Sequence, residues 1–170
     1  MPTKDITRPG RFTSGNTFFF TVRLLDPDST LLTEHFPAFG EAIRHARARQ
    51  PFDVDAWVVL PNHVHSIWTL PAGDTDFAAR WRAVKIGFSK ALRKSEGTRH
   101  AGVVWEPLFM NRQITDEAER QLLVDYIHTN PQRHGLCERP EDWLWSSIHR
   151  ATAPVADKKK GPQALSPAIR

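Results

Sequence analysis

The chain has 170 residues, enough for one domain with a real hydrophobic core. Hydrophobic residues make up 40% of it, charged residues 25%, and the net charge is +4; this balance describes a globular protein that favours a polyanionic partner, nucleic acid foremost. A lone cysteine, Cys137, excludes an intramolecular disulfide and a cysteine-based zinc site, and no stretch is apolar enough to span a membrane or to form a signal peptide, so a cytoplasmic location is expected.

In chain order, residues 1–15 are polar and basic, with Arg8 and Arg11, and read as a flexible arm. Residues 17–25 (TFFFTVRLL) combine β-branched and aromatic side chains and predict a buried strand. Asp26-Pro27-Asp28-Ser29 is a turn. Over 38–50, Phe39, Ala42, Ile43 and Ala46 recur at helical spacing, with Arg44, Arg47 and Arg49 elsewhere on the surface, which predicts an amphipathic helix. Residues 54–60 and 63–70 predict two more strands, and the short Pro61-Asn62 link between them predicts a hairpin. After a loop, residues 77–94 predict a long helix whose apolar set is Ala78, Trp81, Val84, Phe88 and Leu92.

A further strand is expected within 103–114. Thr115-Asp116-Glu117 supplies an N-cap and an acidic first turn for a helix expected to run to about Asn130 and to stop at Pro131. Residues 135–150, with Trp143 and Trp145, wrap back on the domain, and residues 151–170 are Pro- and Lys-rich and predict disorder. The hairpin argues against a purely parallel sheet. The expected fold class is therefore α+β, an antiparallel sheet covered by helices, carried by residues 16–150.

Three features carry chemistry. His63 and His65 are two apart in a strand, so both imidazoles face one side and can share a cation, while Val64 faces the other. A chance His-x-His is the competing explanation in a chain with 8 histidines. Tyr126 is the only tyrosine among 10 Phe and 6 Trp, and Asn130 is one helical turn beyond it. A phenol is a poor nucleophile at neutral pH unless a metal or base assists, and an amide oxygen one turn away suits the same metal. An amphipathic interface tyrosine followed by a helix stop is the alternative. The third feature is a cluster of six cations, Arg80, Arg82, Lys85, Lys90, Arg93 and Lys94, with no acidic residue among positions 80–94; it suits a phosphate backbone or a solvated helix face. Trp143 and Trp145 fit either base stacking or a strap on the core.

Five segments in this order resemble the REP-associated tyrosine transposases, relatives of the single-tyrosine insertion-sequence transposases in the HUH superfamily. They are NTFFFTV (16–22), DAWVVLPNHVHSIWTL (55–70), RWRAVKIGF (80–88), DYIHTNPQRHGL (125–136) and PEDWLWSS (140–147). The resemblance implies a ferredoxin-like sheet with the tyrosine on a helix across it. It implies His63, His65 and Asn130 as ligands of a divalent metal, Mg²⁺ or Mn²⁺, and Tyr126 as the nucleophile on a DNA phosphate. The implied product is a 5′-phosphotyrosine link with a free 3′-hydroxyl. The implied substrate is single-stranded DNA with a folded hairpin, acted on by a monomer or homodimer associated with the nucleoid. DNA contacts are expected from Arg8, Arg11, Arg80, Arg82, Lys85, Lys90 and Arg93. One stretch departs from the family pattern, Trp105-Glu106-Pro107-Leu108-Phe109-Met110-Asn111, which loses basic and acidic positions and gains a proline. A hairpin-binding module without cleavage and a metal phosphoesterase using water are the competing functions.

Overall fold

The run TFFFTVR has no polar alternation, so a strand made from it needs cover on both faces. The computed structural model, which describes residues 15–97 and 102–152, provides that cover. β1 (Thr17–Arg23) lies inside an antiparallel sheet and buries every residue except Arg23. It pairs with β3 (His63–Thr69) on one side and β4 (Met110–Gln113) on the other, and β2 (Asp53–Val59) adds beyond β3, giving the order β2-β3-β1-β4.

The strand period of two sorts the side chains into two layers. Phe18, Phe20, Val22, Val64 and Trp68 point to one face, where α2 (Phe36–Arg49) and α3 (Phe77–Glu96) pack. Trp81 of α3 stacks on Trp68 there, with ring centroids 4.2 Å apart. Phe19, Val58 and Ile67 point to the other face, against Ile127 of α4 (Glu117–Arg133). Short helices α1 (Leu31–Glu34) and α5 (Ile148–Thr152) complete the elements that bear on the site.

Beyond α4 the chain closes the β2 edge. Val59 N–H donates to the Trp145 carbonyl, Ser147 N–H to the Trp57 carbonyl, and the buried Trp143 indole to the Val59 carbonyl. Trp145 packs on Phe36 and Trp143. The two tryptophans thus strap the chain to the sheet, and Trp143 has no exposed face for a base.

The strand expected within 103–114 is β4, and Trp105 ahead of it packs into the α2–α3 layer against Phe39 and Phe88. Pro107 and Leu108 of the divergent stretch lie exposed between them. One boundary differs from expectation: the tyrosine helix does not stop at Pro131 but runs on to Arg133. Pro131 is buried and in the last turn, where its missing N–H frees only one carbonyl. The stop is Gly135, whose φ of +68° favours glycine, and Leu136 N–H closes back on the Pro131 carbonyl. The expected arm at 1–15, except residue 15, and the expected tail at 151–170, except residues 151 and 152, lie outside the described residues, as do Arg8 and Arg11.

At the end of the sheet away from the histidines, the Thr69 hydroxyl donates to Asp55 at 2.6 Å and lies 2.8 Å from that of Thr17. Burial raises the Asp55 pKa to about 6, against the opposing pull of the Thr69 bond and the Arg120 charge. The Asp55 proton is therefore held more tightly folded than unfolded. Its stabilising contribution is complete below about pH 4 and is lost as pH rises through about 6. We predict that Asp55→Asn flattens the fall in Tm between pH 4 and 7, by on the order of 2–3 kcal/mol at neutral pH. A variant whose Tm tracks the wild type across that range would show that Asp55 does not set the slope.

Candidate active site

His63 and His65 point from the middle of the sheet toward α4, with ring centroids 5.0 Å apart. Both are buried, at 5% and 3% exposed. Burial disfavours the imidazolium, and the positive charges of Arg23 and His134 reinforce the effect. The His63 pKa falls to about 4 and the His65 pKa to about 3. At neutral pH both rings are uncharged and keep a lone pair for a cation.

The hydrogen bonds of the first ring settle its tautomer. The Asn62 amide N–H₂ donates to the Pro27 carbonyl, so the Asn62 carbonyl oxygen is the atom that faces His63 Nδ1, 2.6 Å away. Nδ1 must then carry the proton, and Nε2 presents its lone pair. His65 Nδ1 is held by the Thr21 hydroxyl across the β1–β3 pair at 2.9 Å, which leaves its Nε2 as the free ring nitrogen.

Tyr126 comes from α4. Its ring meets His65 edge-on at 5.3 Å and Phe19 at 6.1 Å. Its hydroxyl makes no hydrogen bond to the described residues. One turn on, Asn130 is 1% exposed, and its side-chain oxygen is buried with no hydrogen-bond partner among the described residues. An acceptor buried in that state costs about 1–3 kcal/mol unless something satisfies it. Among the described residues no group of three or more His, Cys, Asp or Glu could hold a metal, so a third protein ligand must be of another type. Two neutral imidazoles and an orphaned amide oxygen suit a divalent ion with open positions for phosphate oxygens.

Because α4 runs past Pro131, it adds two residues to the face of Tyr126. Arg133, at i+7, places its guanidinium carbon 5.3 Å from the Tyr126 ring centroid. His134, which caps the helix, lies 5.3 Å from His63. Neither is found by a sequence reading that stops the helix at Pro131, although the heptad spacing from Tyr126 marks Arg133 once the helix is extended. Thr21 leaves no local signal, because its hydrogen bond to His65 crosses between strands, and the role of Asn62 depends on the Pro27 carbonyl that fixes its amide.

The expected DNA contacts divide. Arg80 is 2% exposed, and its five hydrogen bonds engage every N–H it has, with Asp74 and the carbonyls of Gln50, Pro51 and Asp76. It clamps the start of α3 and has no donor left for a phosphate. The Lys85 ammonium donates to the Glu106 carbonyl and sits over the Trp105 and Phe109 rings, so it too is engaged in packing. Arg82, Lys90 and Arg93 are exposed. They lie on α3, across the sheet from Tyr126.

Comparison with known proteins decides the family. The REP-associated tyrosine transposase of Escherichia coli (strain K12) is 40% identical over 142 residues, which cover 84% of this chain and 82% of that protein. The chain belongs to the REP-associated tyrosine transposases. A relative of the same family name from Haemophilus influenzae is 33% identical over 147 residues, covering 82% of this chain and 83% of that one. A solved REP-associated tyrosine transposase bound to a REP hairpin superposes with a TM-score of 0.75 at 36% identity, over 95% of this chain and all of that one. No protein-family model matches. This is a family of DNA-cleaving enzymes, and the ferredoxin-like sheet expected of it is present. No described helix of this transposase is long and apolar enough to cross a membrane.

Proposed function

We propose that this chain cuts and rejoins one strand of hairpin-forming single-stranded DNA, with Tyr126 as nucleophile and with His63, His65 and Asn130 as ligands of Mg²⁺ or Mn²⁺. The observation that carries the reading is the meeting of Tyr126 with His65 across the sheet–helix interface, with the unpartnered Asn130 oxygen one turn beyond. Support for the substrate comes from the related transposase solved on a REP hairpin.

In the forward step the phenol oxygen forms a bond to phosphorus, and the bond from phosphorus to the 3′ oxygen breaks. The phenol proton leaves to solvent, and the departing 3′ oxygen takes one up. One phosphodiester is exchanged for another, so a 3′-hydroxyl can attack the phosphotyrosine and reseal the strand with no external energy source. When bound, the metal supplies Lewis-acid stabilisation of charge on the phosphoryl oxygens. The chain's own part is positional. α4 and β3 hold the phenol beside the imidazoles, Asn62 and Thr21 keep the ring nitrogens aimed, and the packed Phe19 limits where the phenol ring can turn.

The test is covalent capture. Protein incubated with Mg²⁺ or Mn²⁺ and a hairpin oligonucleotide from beside its own gene should give a DNA adduct on a denaturing gel, and chelator should abolish it. Hairpin binding in a native gel without any adduct would favour a binding module instead.

We assign Arg82, Lys90 and Arg93 to sequence-independent contact with the duplex stem, because they are exposed yet remote from the phenol. Replacing all three with alanine should weaken hairpin binding and reduce its salt slope by roughly 2–3, with the cleavage rate at saturating DNA unchanged. An unaltered slope would make this helix face a solvated surface only.

A further inference from the structure

Arg44, Arg47, Arg80, Arg112, Arg120 and Arg139 each pair with a carboxylate. Among the described residues, Arg133 beside the tyrosine and Arg23 beside His63 do not. Arg133 is exposed, lies over the Tyr126 ring, and has no ion pair within the described residues. Arg23, the one exposed residue of β1, is the register partner of His63, so its side chain leaves the sheet on the same face. Its charge is felt by both histidines. His134 adds a third basic group beside His63. Arginine charges on one face repel one another unless an anion joins them. Both arginines are long enough to move, yet neither is drawn to a carboxylate.

We propose that Arg133 and Arg23 form a two-sided clamp for the phosphodiester that Tyr126 attacks. Each arginine donates to a non-bridging oxygen, Arg133 from the helix side and Arg23 from the sheet side. The phosphate is thereby fixed between the phenol and the imidazoles, and charge that builds on its oxygens meets donors already in place. The helix extension through Pro131 is what makes this geometry available, because it carries Arg133 to the seventh position after Tyr126. The inference rests on the tyrosine reading given above.

Its test measures binding rather than turnover. The wild-type adduct first locates the scissile linkage. Hairpin affinity is then measured in Mg²⁺ for Tyr126→Phe, which keeps the ring, and for the same protein carrying Arg133→Ala or Arg23→Ala. Two oligonucleotides are compared, one with the natural linkage and one with an uncharged methylphosphonate at that linkage. Each alanine should weaken binding of the natural strand about 5- to 20-fold and have little effect on the methylphosphonate strand. In the Tyr126 background, Arg133→Ala should slow adduct formation about 100-fold, with Arg133→Lys intermediate because it keeps the charge without the fork. Equal weakening on both strands, or none on either, would overturn the clamp while leaving the tyrosine reading intact. Failure of the wild type to form any adduct would overturn both.

Discussion

Replacing Tyr126 with phenylalanine is expected to lower covalent DNA capture by at least about 10⁴-fold, to background, with the fold and the hairpin affinity kept. The physical case is unusually clean. The ring supplies the packing, against His65 and Phe19, and phenylalanine keeps the ring. The hydroxyl makes no hydrogen bond to the described residues, so its removal breaks none among them. Tm should stay within about 2 °C and the dissociation constant within about threefold. Only the reacting atom is lost. The competing phosphoesterase predicts the reverse, since water would attack and the variant would still cut. Strand cleavage that survives in Tyr126→Phe, with no adduct in the wild type, would replace the tyrosine mechanism with that one.

Asn130→Leu should move stability and activity in opposite directions. The side-chain oxygen of Asn130 is buried without a partner, a state that an isolated structural residue has no reason to maintain. Leucine has similar volume and no polar atom to desolvate. In chelator, the variant should be more stable than the wild type by about 1–2 kcal/mol, a rise of a few degrees in Tm. With metal present, loss of one ligand should raise the metal concentration needed for half-maximal adduct formation by about 10- to 100-fold. The backbone carbonyl of Asn130 still accepts the His134 N–H, so the helix end is unaffected. If leucine instead destabilises the protein and leaves the metal requirement alone, Asn130 serves the helix and not the ion.

The same orphaned oxygen explains a limit of sequence reading. Asn before Pro reads as a helix stop, because the residue before proline is usually pushed out of the helical region. Here the helix continues, since burial of Pro131 and the closing bonds around Gly135 outweigh one lost hydrogen bond. The penalty of a local rule was overridden by tertiary packing. The price of missing this was losing Arg133 and His134 from the candidate site. Charge counting failed at Arg80 for a related reason. In the sequence it is one more cation on a basic helix, but five hydrogen bonds bury it as the clamp at the start of α3.

What the sequence determined by itself was whatever depends on short periods. The strand period puts His63 and His65 on one face and Val64 on the other. The helix period puts Tyr126 and Asn130 on one face. The apolar runs at β1 and β3 demand a sheet covered on both sides, and the segment order resembles one family closely enough to imply the chemistry. Only the tertiary structure decided which groups meet across elements. It joined Tyr126 on α4 to His65 on β3, set Thr21 and Asn62 on the imidazoles, and put α3 on the far face with its exposed cations. The physical reason is that periodicity is a property of one element's backbone, whereas burial, desolvation and side-chain pairing are properties of the space between elements.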